Sequence, residues 1–572
     1  MEKPILDAWA VLDTRPGGAA RRAVLPEAVR RYPLAVLLFI CVLAWLPGFF
    51  TLPPLDRDES RFAQATKQML ETGDFVDINL GGVPRYEKPA GIYWLQAAST
   101  AALGTGARDS IWTYRVPSLL GALAGVAATF FLVRTFAGVE AAFAAGLILG
   151  LSILLMSEAK IAKTDAVLLG CTATAQTVLM RVYLRARTEL ARPALSELVL
   201  GWGAFGLGVL IKGPVIAAVC VASVIAVVIW DRDWRWLPRL RPLLGLGIVC
   251  LIVLPWAVAI GIASHGQFYQ KSLGQDFAGK LMGDQESHGA PPGYFTLLSS
   301  FIFWPGSLFL LPGLVHGFAR RREPAVRYLL CWAVTTWLIF ELAPTKLPHY
   351  VLPAFPALAA LCALWLVSGA TTKATRVAQY ISLVLFTIAG LTLAGFVAWA
   401  PQRFGGGSPW WLYATAALGG IAVLAVIPSI VTRQLWRAAS CAAFGAVVLY
   451  GVAGFLTVPR LTQLWLSPRL AEAVARHSQA NDPPVVTAGY AEPSITFLLG
   501  TKTALEDGPA AGRTAAMAGG LALVSSDQQE SFLSAIREAG ARAVSLEDIA
   551  GLNYSRGKQT RITLYRIAPA VR

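Results

Sequence analysis

The sequence predicts a polytopic α-helical membrane protein with a small α/β domain at its C-terminal end. Of the 572 residues, 55% are hydrophobic and only 15% are charged, and the mean hydropathy is +0.56. Soluble domains do not carry that balance, which is typical of bundles of membrane-spanning helices. After about Pro459 the pattern changes, because short apolar strands there alternate with a helix-like segment at 528–538.

Thirteen apolar segments are predicted to cross a hydrocarbon core of ~30 Å. The first runs from Pro33 to Leu52, after a polar and basic N-terminal segment at 1–32. A shorter apolar stretch, Ala90 to Leu103, is expected to form a re-entrant or interfacial helix. The other twelve spans are predicted at roughly 113–133, 139–157, 165–184, 198–211, 213–230, 243–263, 294–316, 326–342, 349–368, 377–400, 409–431 and 437–457.

The arginines fix the predicted orientation. With thirteen spans and the N-terminus in the cytoplasm, the arginine-rich loops face the cytoplasm, as the positive-inside rule requires. Counting Ala90 to Leu103 as a span would move those arginines outside. The predicted organisation is a cytoplasmic segment at 1–32, a transmembrane domain at 33–458 and an extracytoplasmic α/β domain at 459–572. Within the transmembrane domain, two long polar loops, at 53–112 and 264–293, are placed outside as well.

Charge and cysteine content exclude two other classes. The formal net charge is +15, but arginines in cytoplasmic loops account for most of it, so nucleic-acid binding is not indicated. All seven cysteines fall inside predicted spans, without a Cys-x-x-Cys spacing. The sequence therefore predicts neither a disulfide framework nor a thiolate metal site.

A polar island stands directly after the first span and holds Asp58 and Glu59. Carboxylates near an apolar boundary can act as general bases, because burial raises their pKa. The non-catalytic alternatives for these two residues are a solvated loop acid, a helix N-cap before the segment starting at Ser60, or pairing with Arg57 and Arg61. We take Asp58 and Glu59 as candidate catalytic residues.

A second island in the same loop holds Glu87 and Lys88 at the start of the ambiguous apolar stretch. A lysine here can hold a phosphate at the membrane interface, with the glutamate orienting it or binding a cation. Snorkelling at a helix end is the alternative for Lys88.

Further charged residues lie at the outer ends of predicted spans. Asp165 follows Lys163 and Thr164 in a short turn, and Lys212 precedes a Gly-Pro break. A lone lysine on the outer face runs against the positive-inside bias, so Lys212 is a candidate for phosphate binding. Lys346, His349 and Tyr350 form a third polar group at a span mouth.

The loop 264–293 adds Lys280 and His288 to the candidates. His288 could contact a metal or a phosphate, although a lone loop histidine is more often only exposed. No tight ligand spacing accompanies it.

These motifs together resemble the ArnT-like and protein-mannosyltransferase-like GT-C glycosyltransferases. The resemblance rests on the order and spacing of all the motifs, and it covers essentially the whole chain. The motifs are Asp58-Glu59-x-Arg61, Glu87-Lys88-Pro89, Thr164-Asp165, Lys212-Gly213-Pro214 and Lys346-Leu347-Pro348-His349-Tyr350.

The resemblance implies an inverting transfer of sugar from an undecaprenyl-phosphate-type donor to an acceptor at the periplasmic face of a bacterial inner membrane. It implies that Asp58 is the base or orients the acceptor and that Lys88 contacts the donor phosphate. Asp165, Lys212 and Tyr350 would complete the cavity. An envelope glycolipid such as lipid A is the expected acceptor, and a secreted protein hydroxyl is the second.

Two departures from ArnT leave the sugar and the metal open. This chain has Phe62 where ArnT members carry a tyrosine, and the segment from Phe268 to Asp276 lacks their histidine and arginine. Lys271 or Lys280 could replace that arginine, and Glu87 with His288 could form a metal pair. A transporter of lipid-linked sugars is the alternative of another class, but no repeated halves with paired broken helices support it.

Overall fold

A bundle of apolar helices forms most of the molecule. The computed structural model describes residues 25–187, 192–272, 274 and 290–569. Within these ranges, nine helices are long and apolar enough to cross a membrane. They are Ile111–Gly150, Asp165–Arg187, Leu195–Lys212, Leu237–Ala263, Pro324–Leu342, Pro348–Ser368, Lys373–Phe404, Trp410–Val431 and Leu435–Arg460.

Several predicted spans are merged, shorter or interrupted in the structure. Ile111–Gly150 is two helices merged across a break at Gly138, where φ is 80°. Three shorter apolar helices, Pro33–Trp45, Val215–Asp231 and Ser307–Ala319, account for further predicted spans. The span predicted at 294–316 is interrupted after a helix that covers Tyr294–Ile302. The fold class is confirmed, whereas the count of thirteen stays a prediction.

Burial separates central helices from peripheral ones. Pro348–Ser368 is buried almost throughout, whereas few residues of Leu237–Ala263 are buried. A helix that is apolar on all sides and still exposed is suited to lipid. The charged segment at 345–350 therefore begins a central helix.

The loop after the first helix is largely structured. It contains the helix Asp58–Thr72, a short hairpin of β1 (Asn79–Leu80) and β2 (Val83–Pro84), and the helix Gly91–Leu103. Gly73 ends the first helix in the left-handed conformation that glycine favours. A Cβ at Gly91 would lie 2.7 Å from the carbonyl oxygen of Leu210, so glycine permits the close approach of the second helix to the bundle.

The C-terminal part is a five-stranded mixed sheet with helices packed on it, which confirms the predicted α/β fold. Sheet and helices together are called the C-terminal sheet below. The strand order is β4-β3-β5-β7-β6, with the last two strands in a long antiparallel hairpin. The strands are β3 (Val486–Ala488), β4 (Ala504–Glu506), β5 (Gly520–Ser525), β6 (Arg542–Asn553) and β7 (Lys558–Ala568). The helices are Leu466–His477, Pro493–Leu499, Gly508–Ala518 and Gln529–Glu538.

The arginine-rich loops gather at one end of the bundle. Asp231 accepts hydrogen bonds there from Tyr183 and Arg187, at the end of the helix Asp165–Arg187, and from Arg327 in the helix Pro324–Leu342. The loop 53–110 and the C-terminal sheet contact each other. They therefore lie on the same side of the protein.

Candidate active site beside the C-terminal sheet

A buried ion pair anchors the segment that carries Asp58. Arg115 donates from Nε to Glu59 Oε1 at 2.8 Å and from Nη2 to Oε2 at 2.9 Å, and both side chains are completely buried. The backbone N–H groups of Ala162 and Leu55 donate to the same carboxylate, each at 2.9 Å. Arg115 also donates to the carbonyls of Phe49, Leu52 and Pro53. Glu59, a candidate catalytic residue from the sequence, is therefore fully engaged in holding this loop to the bundle.

Asp58, unlike its buried neighbour Glu59, faces solvent. It is the first residue of the helix Asp58–Thr72 and is exposed. Within the described ranges, no hydrogen bond or ion pair engages its carboxylate. Its charge acts on Lys163 and Arg85, so cations lie nearby. An accessible carboxylate in this setting can accept a proton from a bound hydroxyl.

Asp165 lies at the centre of a buried charge cluster, formed by Glu158, Lys163, Asp165, Lys212 and His349. Lys212 Nζ lies 2.5 Å from Asp165 Oδ1. Lys163 Nζ and His349 Nε2 lie 3.7 Å and 3.9 Å from Asp165 Oδ2. Lys163 also lies 2.9 Å from Glu158 Oε1. The cluster thus joins four helices, and its carboxylates already pair with Lys163 and with Lys212, a predicted phosphate-binding lysine.

Glu158 is a member of this cluster that the sequence analysis did not single out. It is 4% exposed, and its Oε2 atom has no hydrogen-bond partner among the described residues. Burial raises the pKa of Glu158 to about 7, and the charge of Asp165 adds to this while Lys163 opposes it. For Lys163, burial lowers the pKa, but Glu158 and Asp165 outweigh burial and hold it above its ordinary value. The cluster thus includes a carboxyl group whose pKa burial raises.

Lys346 is a buried cation with no acidic partner among the described residues. It is 6% exposed, and Nζ donates to the carbonyl of Ala343 at 2.9 Å. In the part of the chain that the structure describes, no carboxylate pairs with it. A buried charge without a counter-ion is costly. An anionic ligand at this position would offset that cost.

Tyr350 connects the same segment to the cluster. The Lys212 ammonium lies 5.5 Å from the centroid of the Tyr350 ring, a cation–π distance. His349 stacks edge-on against Tyr350 and its Nδ1 lies 3.3 Å from Lys163 Nζ. The segment 345–350 therefore reaches the charge cluster through two of its side chains, His349 and Tyr350.

Arg85 is a further cation at this end that sequence reasoning passed over. It pairs with Glu87 at 3.1 Å and donates to the hydroxyl of Tyr93 at 3.2 Å. Its guanidinium lies 5.2 Å from the ring centroid of Phe62. Lys88 is half-buried beside it and donates to the Glu87 carbonyl at 3.0 Å. The motif Glu87-Lys88 is thus ordered by an arginine two residues earlier.

The predicted metal pair is not tested. Glu87 is engaged by Arg85, and His288 lies outside the described residues, as does Lys280. The described residues contain no group of three potential metal ligands. A divalent metal held by Glu87 and His288 stays a prediction.

Sequence comparison finds two related groups. A family model described as dolichyl-phosphate-mannose-protein mannosyltransferase matches residues 34–266. The undecaprenyl phosphate-α-4-amino-4-deoxy-L-arabinose arabinosyl transferase of Edwardsiella ictaluri is 28% identical over 439 residues, 74% of this chain and 76% of that protein. The protein of the same name from Aeromonas salmonicida is 30% identical, over 56% of this chain and 58% of that protein.

Structure comparison finds the same fold. The crystal structure of ArnT from Cupriavidus metallidurans bound to undecaprenyl phosphate has a TM-score of 0.72 and covers 94% of this chain and 98% of that chain, at 17% identity. The archaeal oligosaccharyltransferase AglB from Archaeoglobus fulgidus has a TM-score of 0.52 and covers 95% of this chain and 75% of that chain, at 13% identity. At these identities the likeness shows the fold alone.

In sequence and in fold the chain is similar to integral membrane glycosyltransferases of the GT-C class. Within that class the chain is ArnT-like, as the sequence relatives and the fold agree. The resemblance found in the motifs is thereby confirmed, whereas the roles of individual residues stay predictions.

Proposed function

We propose that the chain is an inverting glycosyltransferase that moves a sugar from an undecaprenyl-phosphate donor to an envelope glycolipid such as lipid A. The observation that carries the proposal is the juxtaposition of two unlike sites at one end of the bundle. One is an exposed carboxylate, Asp58, and the other is a set of buried cations in which Lys346 has no acidic partner among the described residues.

The reaction requires one proton acceptor and stabilisation of one leaving group. The acceptor oxygen forms a bond to the anomeric carbon, and the bond from that carbon to the phosphate oxygen breaks. Asp58 takes the acceptor proton, and undecaprenyl phosphate leaves with the electron pair. Fixed cations near the leaving phosphate lower the barrier, because its charge grows in the transition state.

The cations divide into two roles. Lys346 and Lys88 contact the donor phosphate, with Tyr350 beside them. Lys163 and Lys212 are already paired with Glu158 and Asp165, so their main role is to hold the cluster in shape. We accordingly give Asp165 and Glu59 supporting roles and reserve proton transfer for Asp58.

The membrane orientation belongs to the same proposal. The arginine loops that meet at Asp231 would face the cytoplasm under the positive-inside rule. The opposite end, with Asp58 and the C-terminal sheet, would then face the periplasm of a bacterial inner membrane. Donor and acceptor both have lipid anchors and could reach this end from the bilayer.

A protein hydroxyl is the second candidate acceptor. The match of residues 34–266 to the protein mannosyltransferase model favours it. The exposure of Asp58 suits either acceptor, since both present a hydroxyl group.

Mass spectrometry of envelope glycolipids from cells with and without the gene tests the proposal. A sugar lost from one glycolipid in the deletion, and restored by the plasmid-borne gene, would support it and give the sugar mass. Unchanged glycolipids with a periplasmic protein losing a hexose would favour the second acceptor. Unchanged glycolipids and proteins would contradict both.

A further inference from the structure

The C-terminal sheet contacts the segment just before Asp58. The backbone N–H of Asp56 donates to the Tyr554 hydroxyl at 2.7 Å, and Ser494 donates to the Asp56 carboxylate. Arg57 donates to the carbonyl of Ser555. These partners are more than four hundred residues away in sequence, so the contacts exist only in the folded molecule.

The contacting residues are themselves held in place. Tyr554 and Ser555 form the turn between β6 and β7, and Glu492 accepts hydrogen bonds from Asn553 at 2.8 Å and from Ser555 at 2.6 Å. Ser494 is completely buried and lies 2.6 Å from the hydroxyl of Ser467. The C-terminal sheet therefore presents a preorganised polar surface to Asp56 and Arg57.

Arg57 has a backbone conformation that needs such support. Its φ is 68° and its ψ is −111°, a region that residues with a Cβ rarely adopt. Conformations of this kind persist where the surrounding structure holds them. Since Asp58 follows directly, the rotation at Arg57 sets the direction in which the helix Asp58–Thr72 begins.

Attachment of the sheet does not depend on these polar contacts alone. Phe497 is completely buried and its ring meets that of Tyr114 edge-on at 5.4 Å. Lys67 donates to the Phe497 carbonyl at 3.2 Å, and Gln64 donates to Thr501 at 2.8 Å. The apolar contact keeps the two parts together, so the contacts to Asp56 and Arg57 are available for another role.

We propose that Ser494 and Tyr554 are positioning residues that act through Asp56 and Arg57 to aim the Asp58 carboxylate at the acceptor. The proposal rests on the proposed function, because it gives Asp58 its part in the transfer. It makes the C-terminal sheet a component of the active site and assigns these two side chains to the chemical step rather than to donor binding.

Three measurements on the full-length protein test the proposal with the variants Ser494→Ala and Tyr554→Phe. Hydrogen–deuterium exchange over residues 53–62 reports how firmly the segment is held. Binding of undecaprenyl phosphate reports the donor site, and the fraction of modified glycolipid in complemented deletion cells reports transfer. Tyr565→Phe is the matched control, because it removes a phenol that accepts from Gln529 at 2.7 Å on another part of the sheet.

Losing one hydrogen bond to a charged group corresponds to roughly a 10-fold change in an equilibrium. We expect exchange over 53–62 to rise by about that factor in Ser494→Ala, and transfer to fall by about 5-fold or more, with undecaprenyl phosphate affinity unchanged. Tyr554→Phe should act in the same direction and Tyr565→Phe should change none of the three.

Unchanged exchange in both variants would overturn the proposal, and so would faster exchange with undiminished transfer. Equal losses of transfer and of undecaprenyl phosphate affinity would also overturn it, since the donor site would then be disturbed. If the wild-type protein modified no glycolipid, the proposed function would fail, and exchange would still decide whether these side chains hold the segment.

Discussion

At the scale of single residues, the site is defined by which charges have partners. Lys212 and Lys163 have carboxylates within 3 Å, whereas Lys346 donates only to a carbonyl in the described part of the chain. The carboxylates divide in the same way, because Glu59 is fully engaged and Asp58 is exposed. Of the charges beside the cluster, Lys346 and Asp58 are therefore the ones that we expect a ligand to engage.

Replacing Lys346 with glutamine is expected to weaken undecaprenyl phosphate binding by about 10- to 100-fold, because a charge-assisted hydrogen bond is lost. Titration of the purified protein with undecaprenyl phosphate measures this change. Lys160→Gln is the control, since Lys160 is similarly buried and also donates to a carbonyl, that of Pro47, but the charge that acts on it is Arg115 and not the cluster. Equal affinity in the wild-type and Lys346→Gln proteins would remove Lys346 from the phosphate site.

Replacing Arg115 with methionine is expected to lower the free energy of unfolding by about 3–5 kcal/mol, because it leaves the Glu59 carboxylate buried and unpaired. Thermal unfolding in detergent measures the loss as a lower Tm. The double variant Arg115→Met/Glu59→Gln should recover part of the Tm. A single variant as stable as the wild type would show that the pair does not anchor the loop.

At the scale of elements, the contact between the C-terminal sheet and Asp56 should depend on pH. Burial raises the pKa of Asp56 to about 6, and the charge of Glu492 adds to this. Tyr490 and Tyr554 also face Asp56, and Ser494 donates to it. A carboxyl group with a higher pKa in the docked state binds its proton more tightly there. Its contribution to docking is complete below 3.8, the ordinary value, and is lost as the pH rises through about 6.

We therefore expect residues 53–60 to be less protected at about pH 7.5 than at about pH 5, after correction for intrinsic exchange rates. Asp56→Asn should lose most of this difference, because it removes the titrating group. Hydrogen–deuterium exchange at the two pH values provides the measurement. The same pH difference in wild type and variant would assign it to another group.

The elements were more predictable than the contacts between them. Hydropathy predicted the apolar helices, and the change of pattern after about Pro459 predicted the C-terminal α/β domain. The strand Ala504–Glu506 has only three residues, too few for a recognisable alternation in the sequence. Arg115 was missed, since its partner Glu59 is 56 residues away. A charged residue near the start of a long apolar helix was the available signal.

At the scale of the whole molecule, charges are sorted between two ends. The arginine network around Asp231 occupies one end, and the charge cluster, Asp58 and the C-terminal sheet occupy the other. Sequence could predict this sorting from span parity and arginine counts. It could not predict that Glu158 would join Lys163 and Asp165, because that requires the packing of the helices.

The proposed orientation is tested by labelling single cysteines in intact cells with a membrane-impermeant maleimide. Arg556→Cys, on the exposed turn between β6 and β7, should react, because that turn would face the periplasm. Arg235→Cys, at the arginine-rich end, should react only after the cells are opened. The reverse pattern would invert the topology and place the site in the cytoplasm.

Asp58→Asn tests the central claim most directly when it is expressed in cells that lack the gene. The control is Asp109→Asn, another exposed aspartate of the same loop that has no hydrogen bond within the described ranges. The account predicts that Asp58→Asn fails to restore the modified glycolipid although it still binds undecaprenyl phosphate, whereas Asp109→Asn restores it fully. Full restoration by Asp58→Asn would contradict the assignment of Asp58 as the proton acceptor.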